Sequence, residues 1–192
     1  MKTPLVLASS SPRRIAFLKQ LGVRFRQAKP RVDETPFTGE RPRPYVRRVA
    51  MEKARAVSSR RRSDWVLAGD TIVVLDGRIL GKPKDDREAR RMLRRLSGRT
   101  HEVLSALALV RDGDGRALSS VCRTRVELRT LEPSEIRWYV GTGEPADKAG
   151  AYAIQGKGGI FVKKIVGSAS NVAGFPVETF YELMQRAGLR FF

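Results

Sequence analysis

The stretch LVLASSSPRRIAFLKQLG, residues 5–22, joins an apolar run to a helical pattern through three serines, a proline and two arginines. Its first four residues are typical of a short buried strand, and apolar residues then recur at helical spacing from Ile15 until Gly22 supplies a stop. Ser11 is a natural N-cap, and Pro12 suits the first helical position. We therefore predict a strand that turns directly into a helix, which is the first unit of an α/β fold.

The start of this helix carries an unusual charge. A helix N-terminus already offers unpaired N–H groups and the positive end of the macrodipole, and Arg13 and Arg14 add two guanidinium groups to it. Like charge is locally unfavourable there. Either an anion such as a phosphate compensates it, or solvent does.

The rest of the chain alternates between strand and helix patterns. Strands are predicted over residues 23–28, 101–112, 117–131 and 159–168, a hairpin over 64–83, helices over 44–59, 85–98 and 176–188, and a short helix after Pro133. Because hairpins are inserted among strand–helix units, the fold class is α/β with a mixed sheet flanked by helices. At 192 residues, we expect a single domain over residues 1–192.

Composition limits the possible functions. Lys and Arg total 38 and Asp and Glu 20, a formal net charge of +18, which suggests nucleic acid as one alternative partner. The arginines nevertheless interleave with apolar residues at helical spacing, and no aromatic stacking pattern accompanies them. We expect solvated surface charge that favours an anionic substrate, with no specific nucleic-acid partner.

No apolar run is long enough to cross a bilayer, and the N-terminal residues lead straight into a strand. We therefore expect no membrane association, no signal peptide and a cytoplasmic location. The lone cysteine, Cys122, excludes a disulfide within the chain and a zinc cluster, and is expected to be a small core residue. The lone histidine, His101, is expected to be a structural hydrogen-bonding group.

Several polar residues are candidates for chemistry. Asp70 follows the apolar run VLAG with Thr71 beyond it, which predicts a carboxylate at the carboxyl end of a strand, where open α/β sheets bind ligands. Glu34 lies in a polar loop, Lys53 in a predicted helix and Lys82 in a Gly-Lys-Pro turn. Each has an ordinary alternative, as a turn former, a solvated loop residue or a solvent-facing lysine. Spacing alone does not bring them together.

Six segments together carry a family resemblance. In order they are LASSSPRR, VDE, EKARAV, GDTIVVLDGRILGKP, MLRRLSGRTHEV and the long run from DKAGAYAIQG to FYEL. They resemble the Maf family of nucleoside triphosphate pyrophosphatases from Leu5 to about Leu183. The resemblance implies a fold of the inosine-triphosphatase type, an elongated mixed sheet with a central cleft between two lobes, and a homodimer. It also implies metal-dependent hydrolysis between the α and β phosphates of a nucleotide, which gives monophosphate and pyrophosphate.

The resemblance also assigns roles to residues. KAGAYAIQG is similar to the branch that acts on dTTP and UTP, which places base recognition on Gln155 and implies a role in cleaning the nucleotide pool. The proton acceptor would be Asp70, and Glu34 with Asp70 would hold the metal, although either could bind metal while the other acts as base. Lys53 and Lys82 are implied as catalytic cations, and the implied substrate-binding residues are Ser9, Ser11, Arg13, Arg14, Thr71 and Gln155.

These roles make chemical sense. A triphosphate carries about four negative charges, so its site needs several cations and backbone donors, and Mg²⁺ or Mn²⁺ prefers carboxylate oxygens. The sequence departs from the family pattern at Gly69, where Ala is more usual, and at Ala169, where Tyr is common. Two alternatives stay open. One is the same chemistry on another modified or methylated nucleotide, and the other is a basic nucleic-acid-binding or cell-division regulatory protein on the same fold.

Overall fold

A computed structural model describes residues 5–190, and in it the opening stretch forms the predicted strand and helix. β1 (Leu5–Ala8) leads into α1 (Pro12–Gln20), with Ser11 at the N-cap and Pro12 in the first turn. The Ser11 hydroxyl makes no capping hydrogen bond. The helix ends before Gly22, whose φ of 68° is the left-handed conformation that glycine adopts readily. The first four residues, on which the expectation about a signal peptide depends, lie outside the described residues.

The other elements follow the predicted alternation. The further strands are β2 (Phe25–Ala28), β3 (Trp65–Leu75), β4 (Arg78–Leu80), β5 (Thr100–Arg111), β6 (Arg116–Leu128) and β7 (Val162–Val166). The further helices are α2 (Pro42–Ser58), α3 (Asp86–Leu96), α4 (Pro133–Gly141), α5 (Ala169–Val172) and α6 (Val177–Arg186). Short 3-10 helices lie at Asp112–Asp114, Glu144–Asp147, Ala149–Ala151 and Lys157–Phe161.

These strands form one mixed sheet, as predicted. Its order is β2-β1-β3-β5-β6-β7, with β4 paired to β3. β1 runs parallel to both β2 and β3, whereas the β3–β4 and β6–β7 pairs are antiparallel. The antiparallel β3–β4 pair is the predicted hairpin, and its turn contains Asp76 and Gly77, both with positive φ.

The chain divides into two compact units, each with its own hydrophobic core. The first unit comprises the residues up to Asp70, Ser105–Cys122 and the residues from Gly174 onward; the second comprises Thr71–Leu104 and Arg123–Ala173. The largest fully buried side chains of the first core are Trp65, Phe175, Phe180, Leu5, Leu7, Leu18 and Leu67. Those of the second are Tyr139, Phe161, Leu75, Leu93 and Leu96. The single domain over residues 1–192 stays a prediction.

Three details differ from the sequence expectations. Asp70 does not end its strand, because β3 continues through the position and on into the hairpin. β7 is shorter than predicted, since residues 157–161 form a 3-10 helix. Cys122 is half-buried and not a core residue.

Among residues 5–190, no helix is long and apolar enough to span a bilayer.

Candidate active site

A lysine ammonium group joins two carboxylates in the first unit. The Nζ atom of Lys53 lies 2.9 Å from Asp70 Oδ1 and 2.9 Å from Glu34 Oε2. The side chains of Lys53 and Asp70 are only 10% and 11% exposed, whereas that of Glu34 is 53% exposed. The cluster therefore has a buried pair at its base and a carboxylate that faces solvent.

Local sequence explains how Lys53 reaches this place. α2 carries apolar residues at helical spacing, and Lys53 falls among them, in line with the buried Val46, Val49 and Val57. The sequence left open whether Lys53 faces solvent, and the structure places it on the buried face. A buried ammonium group needs partners of opposite charge, and Asp70 and Glu34 supply them.

Asp70 occupies a special position in the sheet. β1 pairs with β3 only from Leu5 opposite Trp65 to Ala8 opposite Ala68. Asp70 thus lies two residues beyond the end of this pairing, in a strand that continues. The predicted position at the carboxyl end of a strand is wrong for β3 itself, yet Asp70 does lie past the carboxyl end of the neighbouring β1. The hairpin explains the difference, because β4 pairs with the far half of β3 and prolongs it.

Hydrogen bonds from α2 hold the loop that carries Glu34 in place. The Tyr45 hydroxyl donates to the backbone carbonyl of Glu34 at 2.8 Å. Arg48 donates to both carboxylate oxygens of Glu40, at 2.8 and 2.7 Å, and to the carbonyl of Thr35 at 3.1 Å. Burial raises the pKa of Tyr45 to about 12, helped by the nearby charges of Asp70 and Glu34, so the phenol remains a neutral donor.

The hydrogen bonds that Tyr45 and Arg48 donate to this loop were not predicted from the sequence. Both lie in the helix pattern that begins after the polar loop, and α2 places them one turn apart, on a face that the loop can reach. The guanidinium of Arg48 also lies 4.0 Å from the centroid of the Phe37 ring. Phe37, itself 62% exposed, was the one signal available: a large apolar residue in a polar loop suggests a packing partner.

The turn between β1 and α1 holds the serines and arginines of the opening stretch. The Ser9 hydroxyl is buried and accepts from the Ser11 N–H at 3.1 Å and from Arg14 Nη1 at 3.5 Å. Arg14 Nε donates to the carbonyl of Gly174 at 3.2 Å. Desolvation lowers the pKa of Arg14, and the charge of Asp70 acts in the opposite direction. Arg14 thus has partners within the protein, and Arg13 and Ser11 are half-buried in the same turn.

Gly69 fits this arrangement. A Cβ atom at Gly69 would lie 3.2 Å from Arg14 Nε and 2.9 Å from the Leu107 side chain. The absence of a side chain therefore lets the Arg14 guanidinium lie against β3, next to Asp70. The departure from the more usual alanine is explained by close packing.

Three predicted site residues belong to the second unit. Thr71 follows Asp70 in β3 and is half-buried, and Lys82 is exposed in the turn after β4. The backbone next to Lys82 is fixed, because Gly81 accepts a hydrogen bond from the Gly150 N–H at 3.0 Å. Gln155 is exposed in the loop before the 3-10 helix Lys157–Phe161.

The carboxylates of the first unit suit a hard divalent cation. Residues 5–190 contain no group of three or more His, Cys, Asp or Glu side chains that could hold a metal ion unaided. Mg²⁺, however, commonly binds through one or two carboxylates together with substrate phosphates and water. Glu34 and Asp70 offer such a pair, both within reach of the one Lys53 ammonium group.

The chain is similar to one protein family and to several proteins of one name. A family model described as "Maf-like protein" matches residues 4–187. A protein of Myxococcus xanthus named dTTP/UTP pyrophosphatase is 52% identical over 98% of this chain and 94% of its own length. A protein of the same name from Anaeromyxobacter dehalogenans is 54% identical, over 98% and 96%. A third, from Dictyoglomus thermophilum, is 43% identical over 98% of both chains.

A solved structure is similar in fold. The Ham1 protein of Staphylococcus aureus matches with a TM-score of 0.53 over 96% of this chain and 97% of its own, at 15% sequence identity. At that identity the likeness concerns the fold alone. The mixed α/β fold of the inosine-triphosphatase type is thereby confirmed.

Proposed function

This chain belongs to the Maf family, and from that premise we propose that it hydrolyses dTTP and UTP to the monophosphate and pyrophosphate. Relatives that carry the name dTTP/UTP pyrophosphatase align with nearly its whole length. One observation of the structure carries the proposal: Lys53 holds Asp70 and Glu34 together in a partly buried cluster. Hydrolysis of a bound triphosphate needs both a cation, which neutralises phosphate charge, and a general base, which activates water.

The proposed proton acceptor is Asp70. Lys53 contacts its Oδ1 atom at 2.9 Å, which restrains the carboxylate, and we assign the second oxygen, Oδ2, as the atom that would accept a proton from water. Transfer of the water proton to Asp70 would accompany attack of the oxygen at the α-phosphorus, and pyrophosphate would leave. Glu34 could take the proton instead, with Asp70 kept as a ligand.

The phosphate chain requires positive charge around it. We assign this task to Arg13, Arg14 and Lys53 of the first unit, with donors from the turn at Ser9 and Ser11. The resemblance adds Lys82 and Thr71. A bound phosphate would place negative charge beside the two arginines at the start of α1.

Glu34 and Asp70 are the residues that we propose to hold a divalent cation such as Mg²⁺ or Mn²⁺, whose charge would offset that of the triphosphate and favour ionisation of water. Gln155 is proposed to recognise the base. Uracil and thymine present one N–H between two carbonyls, and a carboxamide can pair with half of that edge. The resemblance further leads us to propose a cytoplasmic homodimer that cleans the nucleotide pool.

A panel of nucleoside triphosphates tests this function. We expect pyrophosphate release from dTTP and UTP at least about tenfold faster, in kcat/KM, than from ATP, GTP, CTP or 7-methyl-GTP, and no release in excess chelator. Product analysis must find monophosphate, since release of inorganic phosphate would contradict cleavage between the α and β phosphates. A preference for a methylated base would replace the proposed substrate but keep the reaction. Absence of hydrolysis with every nucleotide and metal would refute the enzyme itself.

A further inference from the structure

The loop that carries Gln155 is folded around a single carboxylate. We call residues 153–158 the Gln155 loop. At its far end, Glu144 accepts hydrogen bonds from two backbone N–H groups, from Lys157 at 2.9 Å to Oε2 and from Gly158 at 3.1 Å to Oε1. Glu144 precedes the loop by about ten residues and lies in a different 3-10 helix. One side chain therefore determines where the loop ends.

The near end of the loop is held by the partner of the same carboxylate. The Tyr139 hydroxyl donates to Glu144 Oε1 at 2.8 Å and accepts from the Ala153 N–H at 3.1 Å. The Tyr139 ring is fully buried and packs edge-on against Phe161, with 5.0 Å between the ring centroids. Both ends of the Gln155 loop are thus tied to one hydrogen-bonded pair, and the exposed Gln155 lies between them.

Two glycines of the loop allow its backbone to pack closely against Glu144 and Tyr139. A Cβ atom at Gly156 would lie 2.5 Å from the Glu144 carboxylate, and one at Gly158 would lie 2.6 Å from the Tyr139 hydroxyl oxygen. Neither glycine has a positive φ, so neither is required by backbone conformation. They are required by the close approach of the backbone to the two side chains.

The ionisation states favour the same arrangement. Partial burial of Glu144 would raise its pKa, but the backbone N–H groups of Gly158 and Lys157 outweigh that effect and leave the pKa below its usual value. Burial raises the pKa of Tyr139. At neutral pH the pair is therefore a carboxylate that accepts and a phenol that donates, which matches the hydrogen bonds observed.

We propose that Glu144, through Tyr139 and the Gln155 loop, is a positioning residue for the choice of nucleobase. The inference rests on the proposed function, because it takes Gln155 as the base contact. Glu144 does not touch the base; it fixes the backbone from which the carboxamide reaches it. A shift of the loop by a fraction of an ångström would weaken the paired contact to uracil or thymine and leave the residues around the phosphates in place.

Three variants test the proposal. Glu144→Gln keeps the size of the side chain but turns a donor toward the Lys157 N–H, Tyr139→Phe removes the hydroxyl, and Gly156→Ala pushes against the carboxylate. We expect each to lower kcat/KM for dTTP and UTP by about tenfold, mainly through KM, while the slow reaction with ATP changes less than about twofold. Thermal unfolding of each variant identifies any that fails to fold.

Glu135→Gln is the matched control. Glu135 lies in α4 with Tyr139, and its carboxylate accepts from the Glu132 N–H at 2.9 Å and from Arg129 at 2.6 Å. This variant loses hydrogen bonds of the same kind in the same unit but outside the loop. We expect it to lower the unfolding temperature and to leave the ratio of dTTP to ATP activity unchanged.

A combined variant separates this proposal from the function on which it rests. If Glu144 acts through Gln155, the pair Glu144→Gln/Gln155→Ala will lose no more dTTP activity than Gln155→Ala alone. Fully additive losses would overturn the positioning role. An unchanged base preference in Gln155→Ala would remove the assigned base contact, and the positioning role with it. A normal preference in the folded Glu144 variants, with an altered one in Gln155→Ala, would refute the positioning role alone.

Discussion

Replacement of Asp70 by asparagine separates catalysis from folding at the proposed site. The amide can still accept a hydrogen bond from Lys53, and Lys53 keeps its contact with Glu34 at 2.9 Å. A charge-assisted hydrogen bond is worth about 1.5–3 kcal/mol and a neutral one about 1 kcal/mol, so Asp70→Asn should lower the free energy of unfolding by roughly 1 kcal/mol. For a chain of this size that corresponds to a fall of about 2–4 °C in Tm.

Turnover should fall far more. Loss of a general base typically lowers kcat by a factor of about 10²–10⁴, and Asp70→Asn leaves the arginines and lysines that bind phosphates. We expect kcat with dTTP to drop by about a hundredfold or more. The affinity for a non-hydrolysable α,β-imido analogue of dUTP, measured by titration calorimetry without divalent metal because Asp70 is also a proposed metal ligand, should stay within about threefold.

Lys53→Met supplies the contrasting case. It leaves Asp70, whose side chain is 11% exposed, as a buried charge without its ammonium partner. Breaking a buried pair from one side typically costs about 3–5 kcal/mol, so this variant should unfold about 10 °C below the parent, well outside the range expected for Asp70→Asn. A folded Asp70→Asn protein with near-normal kcat would refute Asp70 as proton acceptor. Equal losses of stability in both variants would refute the reasoning about the pair.

Two further predictions concern the pH dependence of stability and the surface charge. His101 is buried, contacts the Tyr152 hydroxyl at 2.8 Å, and burial lowers its pKa from 6.5 to about 4. The unfolded chain therefore binds a proton first as pH falls, and the free energy of unfolding should decrease by up to about 3 kcal/mol between pH 6.5 and pH 4. Denaturant titrations at several pH values should find this slope reduced in His101→Gln; an identical slope would contradict the assignment. The net charge of +18 should give only weak binding to mixed-sequence duplex DNA, lost between low and physiological salt in an anisotropy titration. Tight binding to one sequence at physiological salt would support the nucleic-acid alternative.

Much of the fold could be predicted because its signals are local. The turn from β1 into α1 depends on residues within one stretch, and the hairpin turn depends on Asp76 and Gly77 alone. α3 begins as predicted, with the side chain of Asp85 accepting from the Glu88 N–H at 2.7 Å. The expectation that His101 is a structural hydrogen-bonding group is also confirmed.

The candidate site was predictable in its residue types but not in its geometry. The family resemblance selected Glu34, Lys53 and Asp70, which lie in a loop, a helix and a strand. Nothing in the spacing of these residues says that one ammonium group lies 2.9 Å from both carboxylates. Contacts between distant segments depend on how α2 packs, and a lysine within an apolar stripe was the only local signal that its face is buried.

The role of Glu144 is harder to predict from the sequence, although the neighbouring glycines give an indirect indication of it. Its partners are backbone N–H groups, which nearly every residue carries, so no pattern of side chains marks it as important. The sequence indicates the role of Glu144 only through the glycines that pack against Glu144 and Tyr139. Gly156 and Gly158 have ordinary negative φ values, so turn formation does not account for them, and only a crowded neighbour does. A glycine that its own backbone conformation does not require, next to a residue expected to touch substrate, therefore indicates a side chain around which the loop is built. In this chain that side chain belongs to Glu144, and the same reasoning accounts for Gly69 beside Arg14.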